Sequence, residues 1–353
     1  MKDKRINFKD LSLKKMEELL ISMGEKPFRA KQIFSWIYKD VESIGEMVNL
    51  PLLLRNRLDK IGKISRSTLV SKKISAVDGT AKFLFELEDG ARIETVYMEY
   101  NHGNTLCISS QAGCRMGCSF CASTKEGLYR NLTPGEMLNQ IFGVESEMGK
   151  KVNNIVIMGT GEPFDNYDNL SVFLRNINEK IGRNLGYRHI TVSTCGIVPG
   201  IKSFSRDFPQ VNLAVSLHSA EDKIRSEIMD VNTAYPLEEL ISACKDYICT
   251  TGRRITFEYI LLEGINDGYE DINHLSELLK NINCHVNFIP FNKVEDRVLK
   301  ATSRKKGREF VDYLEKKGIR ATLRRELGSD IDGACGQLRL NRKYNSKYNI
   351  KND

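Results

Sequence analysis

The chain has 353 residues, of which 41% are hydrophobic and 28% charged, enough for one large α/β domain with a small accessory one beside it. It has no long uncharged apolar run, and its first ten residues, M-K-D-K-R-I-N-F-K-D, lack the apolar stretch of a secretory signal, which argues against a membrane or exported protein and for a cytoplasmic one. The net charge of +7, from 53 basic and 46 acidic residues, suits a polyanionic partner without requiring one.

Residues 1 to 62 are expected to form a helical accessory module. Ser12 is placed to cap a helix running through Ile21, Pro27 precedes a second with Ile33, Phe34, Ile37 and Tyr38 on one face, and Pro51 opens a third carrying Leu54, Leu58 and Ile61. Lys26, Arg29, Lys31 and Lys39 gather about the second helix. Such a module could read a phosphate backbone, although a solvated helix face has the same pattern. From 63 to 100 the period changes to two. Lys82 to Leu87, an Asp89-Gly90 turn of the type I′ composition, and Arg92 to Met98 make a linking β-hairpin.

Residues 101 to 338 carry the main domain. An apolar run, Thr105 to Ser109, reads as a buried strand and leads to Cys114, Cys118 and Cys121, a Cys-x-x-x-Cys-x-x-Cys triplet on a short Gly-containing loop. Three thiolates this close can hold three corners of an iron–sulfur cube and leave the fourth iron open. Structural zinc is the alternative, but it is closed by four ligands, usually in two spaced pairs, and no fourth follows in register. The cysteines number nine, which speaks against a secreted disulfide framework; Cys244, Cys249 and Cys284 sit in apolar patterns and read as small buried hydrophobes.

Beyond the triplet, strands and helices alternate. Thr133-Pro134-x-Glu136 is a capping box for a helix to about Gly149, and Asn169 to Ile181 is a second helix. Strands are expected at Asn154 to Met158, His189 to Ser193, Val211 to Leu217, Arg254 to Leu261 and His285 to Pro290, with helices near Pro236 to Thr250, Tyr269 to Ile282 and Arg304 to Lys317. The expected fold is α/β, a parallel sheet curled into a partial (β/α)6 barrel with its site at the strand C-terminal ends, followed by a polar, basic tail at 339 to 353.

Candidate residues stand at those strand ends. Gly159-Thr160-Gly161-Glu162-Pro163 offers two glycines that let backbone approach a ligand and a carboxylate for an ammonium group. Ser193, Ser216-Leu217-His218 and Asn292 place hydroxyl, imidazole and amide groups where a nucleoside and a carboxylate need partners, although each alone is more often a strand cap. Cys107 lies inside the first strand and Cys335 in a Gly-rich segment, G-S-D-I-D-G-A-C-G-Q. Without further help these two are a disulfide or unrelated thiols.

The triplet resembles that of the radical S-adenosylmethionine (SAM) superfamily. Together, L-C-I-S-S-Q-x-G-C-x-x-x-C-x-F-C, G-x-G-E-P, S-L-H and D-I-D-x-A-C-G-Q-L are similar to the RlmN family, adenine-carbon-2 RNA methyltransferases, and to their carbon-8 relative Cfr. The resemblance runs from the helical module to Leu338; Thr160 replaces a usual methionine and Cys195 a usual serine. It implies a [4Fe-4S] cluster on Cys114, Cys118 and Cys121, and SAM, two per turnover, bound by Gly161, Glu162, Ser193, Ser216, Leu217, His218 and Asn292. It implies a methyl carried on Cys335, a resolving Cys107 that leaves a disulfide, and Glu94, otherwise one polar position of a hairpin strand, as proton acceptor. Expected partners are 23S ribosomal RNA, transfer RNA and a reducing electron donor such as flavodoxin, with the enzyme a monomer. Pro163 favours carbon 2 over carbon 8. A glycyl-radical-activating enzyme and a zinc-stabilised RNA-binding protein are the readings from other classes.

Overall fold

A computed structural model describes residues 5–292, 298–333 and 337–338. Cys335 and the tail from 339 therefore lie outside the described residues. The N-terminal segment pairs strand β1 (Ile6–Asn7) with β2 (Gly62–Lys63) and holds helices α1 (Leu13–Ser22), α2 (Phe28–Ile37) and α3 (Leu52–Ile61). Ser12 caps α1, its hydroxyl accepting the Lys15 N–H at 3.2 Å. The apolar faces expected of these helices are buried, and Met16, Leu20, Ile33, Ile37, Leu54 and Leu58 are continuous with the core of the rest of the chain. The joint is also polar. Buried Lys9 donates to Asn139 Oδ1 at 2.7 Å, and the Gly135 N–H donates to Asp10 at 2.8 Å.

Ten strands then form one sheet. Strands β3 (Thr68–Ile74), β4 (Ala81–Glu86), β5 (Arg92–Tyr100) and β6 (Gly103–Ile108) are antiparallel, so the hairpin expected to link the domains is a wing of the main sheet. Its turn differs from the expected I′ form. Gly90 has φ +80° but Asp89 does not enter the left-handed region, and Gly90 N–H reaches Leu87 O at 2.9 Å while Leu87 N–H reaches Ala91 O at 2.8 Å. This is a three-residue loop with the glycine in the left-handed position. The Asp89 carboxylate accepts the Ala91 N–H within the turn at 3.2 Å and Arg130 Nε from outside it at 2.6 Å.

A short pair, β7 (Gln111–Gly113) and β8 (Leu128–Asn131), flanks the cysteine loop. From β6 the sheet continues parallel through β9 (Asn154–Ile157), β10 (Ile190–Thr194), β11 (Asn212–Ser216), β12 (Ile255–Leu261), β13 (Cys284–Pro290) and β14 (Arg320–Leu323). The intervening helices are α4 (Pro134–Met148), α5 (Tyr167–Asn178), α6 (Val198–Asp207), α7 (Asp222–Ile228), α8 (Val231–Ala234), α9 (Leu237–Thr251), α10 (Tyr269–Leu278) and α11 (Arg304–Lys316). The capping box at Thr133 and Glu136 is formed, and Gly149 ends α4 with φ +63°. Helices α6 to α8 and strand β14 were not expected; α7, α8 and β14 are too short for periodicity to carry much signal, and α6 has Pro199 inside its first turn. β3 and β14 are the two edges, so the barrel is partial, and residues from β9 to β13 all reach one cavity because the sheet curls round it. Among the described residues no helix is long and apolar enough to cross a membrane.

Candidate active site

An open cavity of about 890 Å³ lies at the C-terminal ends of the parallel strands. Cys114, Cys118 and Cys121 form one wall, carried on the loop that leaves β7. Gly117, between the first two, has φ +72°, and a Cβ there would meet Asp230 Oδ2 at 1.9 Å, so the loop can follow this path only with glycine. Burial pushes the Cys114 thiol up to about 12 and that of Cys118 well above its ordinary value, and the neighbouring Cys121 adds to both. Thiols so placed become thiolates only when a cationic group sits among them. Cys114, Cys118 and Cys121 all line the one cavity, which leaves space beside them for a cube that meets each thiolate at a different corner.

Glu162 faces this wall. Its Oε1 accepts the Phe164 N–H at 2.9 Å and its Oε2 the Cys195 N–H at 2.7 Å, which fixes both oxygens. Burial raises the carboxyl above its ordinary value, and these amides and the Thr194 hydroxyl pull it part of the way back. Gly159 and Gly161 were expected to let backbone approach a ligand. They do border the cavity, but their lack of a side chain serves the protein itself: a Cβ at Gly159 would meet Ile108 O at 2.7 Å, and one at Gly161, where φ is +108°, would meet Gln111 Cβ at 2.5 Å. Among the described residues, the buried Thr160 hydroxyl between them has no hydrogen-bond partner.

Ser193, Ser216 and His218 line the same cavity. His218 is buried with φ +60°, a strained position for this residue type, and Asn266 Nδ2 donates to its carbonyl at 2.7 Å. Burial, with Arg225 nearby, pushes its pKa down to about 3, so the ring is neutral. Its Nδ1 accepts the Ile260 N–H at 3.0 Å, which leaves Nε2–H as the donor. Leu217 is turned into the core; it meets its surroundings here through its backbone, the N–H donating to Glu258 O at 3.0 Å.

Asn292 belongs to an adjoining pocket of about 520 Å³, which shares Met158, Ile289 and Arg324 with the first. Cys107 lines this second pocket, and so do Gly333 and Leu338, which bracket Cys335 in the sequence. No two of the described cysteines are joined; the expected disulfide involves Cys335 and falls outside the described residues. Lys82, Val96 and Cys107 are opposite one another across β4, β5 and β6. Glu94, two residues before Val96, therefore points to the same face. It is buried, lines neither cavity and is paired with Lys82 at 2.9 Å.

Several residues of the site escaped the sequence reading. Arg225, fully buried on α7, donates from Nε to Leu217 O at 3.0 Å and from Nη2 to Cys195 O at 2.8 Å and Ser216 O at 3.1 Å, while Nη1 meets Asn232 Oδ1 at 2.6 Å. It thus ties together the ends of β10 and β11, which carry the candidate residues. Glu258 lines the cavity from β12 in register with Ser216 and Asn287, and Asn287 Nδ2 donates to it at 2.9 Å. An arginine within a polar helical stretch gives no signal; a glutamate inside an otherwise apolar strand, F-E-Y-I-L-L, gave one that went unused.

Residues 6–64 match the family model described as the ribosomal RNA large subunit methyltransferase N-terminal domain, and residues 108–279 match that of the radical SAM superfamily. Curated relatives include proteins called probable dual-specificity RNA methyltransferase RlmN. That of Desulforamulus reducens is 49% identical over 97% of this chain and 98% of its own length, and that of Clostridioides difficile 49% identical over 98% and 100%. The crystal structure of a radical SAM methyltransferase from Sphaerobacter thermophilus is 43% identical, covers 94% of this chain and 99% of its own, and superposes with a TM-score of 0.88.

Proposed function

The chain belongs to the RlmN family of radical SAM RNA methyltransferases, and on that footing we propose that it methylates carbon 2 of adenosine in 23S ribosomal RNA and in transfer RNA, through a methyl group carried on Cys335. The observation that carries this reading is the adjacency of two pockets: one with the three loop cysteines and Glu162, the other lined by Cys107 and by Gly333 and Leu338, which bracket Cys335 in the sequence. Carbon 2 lies between two ring nitrogens and is too electron-poor to attack a methyl sulfonium as an amine would. Cys114, Cys118 and Cys121 would hold a [4Fe-4S] cluster which, together with SAM, would supply a hydrogen-abstracting carbon radical.

The chain's own groups would then divide the work. Glu162 receives the SAM ammonium, with both oxygens preset by the Phe164 and Cys195 amides. Ser193, Ser216 and the Nε2–H of His218 offer polar contacts to the nucleoside and carboxylate from the strand ends. Cys335 as a thiolate takes a methyl group from a first SAM and presents it to the radical chemistry of a second. Once that carbon is bonded to adenine and the radical adduct has given its odd electron back to the oxidised cluster that would be bound, Glu94 would accept the proton leaving carbon 2; the Cys107 thiolate would then attack the Cys335 sulfur, the methylene carbon leaving with the S–C electron pair and taking a proton to become the methyl group, and a disulfide would remain for cellular thiols to reduce. The target base must leave its stack to reach the cavity.

The test is an anaerobic assay of reconstituted enzyme with methyl-labelled SAM, a chemical reductant and unmodified RNA, read by nucleoside mass spectrometry. Label in 2-methyladenosine, abolished by Cys335→Ala, is expected; 8-methyladenosine as the main product would move the assignment to carbon 8.

A further inference from the structure

The two groups that this reading assigns to the late steps, Glu94 on the hairpin wing and Cys335 near the chain end, are 241 residues apart in sequence. One side chain joins their neighbourhoods. Lys82 Nζ lies 2.9 Å from Glu94 Oε1 and also donates to Asp332 O at 2.9 Å. The Glu94 contact is sheltered, the Lys82 and Glu94 side chains being 11% and 6% exposed, whereas the contact to the Asp332 carbonyl lies at the surface. A sheltered, charge-assisted bond is short and directional, unlike a surface pair. Asp332 precedes Cys335 by three residues, a span of at most about 10 Å of extended chain.

The rest of this segment is tied to the same wing. The Gly328 N–H donates to Asp78 Oδ2 at 3.0 Å, and the Ala76 N–H to Asp330 Oδ2 at 3.1 Å. On the far side of Cys335, the Ser123 hydroxyl donates to Leu338 O at 2.6 Å, beside the cysteine loop. Gly328, Asp330, Asp332 and Leu338 are thus each held by a hydrogen bond, and among these contacts of the described residues the one from Lys82 also meets Glu94.

We propose that Lys82 is a positioning residue that sets the Glu94 carboxylate and the Cys335-bearing segment in one register, so that proton removal from carbon 2 follows bond formation without rearrangement. This rests on the mechanism proposed above. The ammonium takes no proton and touches no substrate; it fixes where the accepting oxygen stands relative to the adduct. Without it the carboxylate loses the ammonium contact that helps to aim it, and the covalent protein–RNA adduct persists longer because loss of the proton that must leave before release is slowed.

The experiment compares wild type, Lys82→Gln and Lys82→Arg as reconstituted holoenzymes with RNA, quantifying Cys335 methylation by peptide mass spectrometry and the ratio of covalent protein–RNA adduct to released product. For Lys82→Gln the ratio is expected to rise about tenfold or more, a part of what acid–base catalysis usually contributes, with Cys335 methylation retained and with Lys82→Arg returning most of the wild-type ratio. If adduct and product fall together at constant ratio, or if the ratio is that of wild type, the positioning role is wrong. Should Lys82→Gln fail to fold, Lys82→Arg against Lys82→Met decides by the same ratio. A wild type that shows neither Cys335 methylation nor adduct would instead sink the mechanism on which the inference stands.

Discussion

At the scale of single residues, the site is built from groups whose ordinary chemistry burial has altered. His218 is an example with a sign that can be worked out. Its pKa is about 3 in the folded chain against 6.5 for an ordinary histidine, so between those values the unfolded state binds the extra proton and stability falls as pH falls. The contribution is complete above about 6.5 and declines by roughly 1.4 kcal/mol per unit below it. Glu162 and Glu258, which burial pushes up, act in the opposite direction. They are common to both proteins in a comparison of wild type with His218→Asn, a residue that tolerates the left-handed backbone. Chemical unfolding at pH 8, 6 and 5, at matched cluster content, is expected to show a steeper acid loss for wild type; parallel pH dependences would contradict the buried neutral imidazole.

At the scale of elements, the parallel strands deliver side chains to one rim, and two devices outside the strands fix that rim. Arg225 on α7 fastens the ends of β10 and β11 through the carbonyls of Cys195, Ser216 and Leu217. The turn between β3 and β4 fastens the segment after β14 through Asp78 and Asp330. Half-buried Asp78 holds its carboxyl below the ordinary range by accepting from the Thr80 hydroxyl and from the Gly328 and Thr80 amides, which outweigh its partial burial. Asp78→Ala therefore removes a local mooring, with little effect on the core. Hydrogen exchange at residues 328–333 is expected to quicken by about tenfold, while global stability changes by no more than about 1 kcal/mol. Unchanged protection there would mean that the mooring does not hold the segment.

At the scale of the whole molecule, the N-terminal module is joined to the barrel by a shared core and by buried Lys9, whose pKa burial lowers to about 8. Its outer surface keeps Lys26, Lys31 and Lys39 exposed, with the Lys39 ammonium 4.3 Å above the Trp36 ring. If these cations meet RNA phosphates, replacing all three by alanine flattens the slope of log affinity against log salt by about two units, with iron content unaltered. Filter binding from low to moderate salt checks this, and an unchanged slope would place the RNA elsewhere. The sequence alone determined the helix caps at Ser12 and Thr133, the alternation of strand and helix, the cysteine triplet and the family, because these signals lie between residues a few positions apart, where backbone geometry fixes which groups become neighbours. What only the tertiary structure decided is who meets whom across the chain. Arg225 beneath the strand ends, Leu217 turned inward, glycines spaced for neighbouring backbone, and Lys82 between Glu94 and Asp332 all follow from packing, since contacts between remote positions arise only once the sheet has curled and its elements have docked.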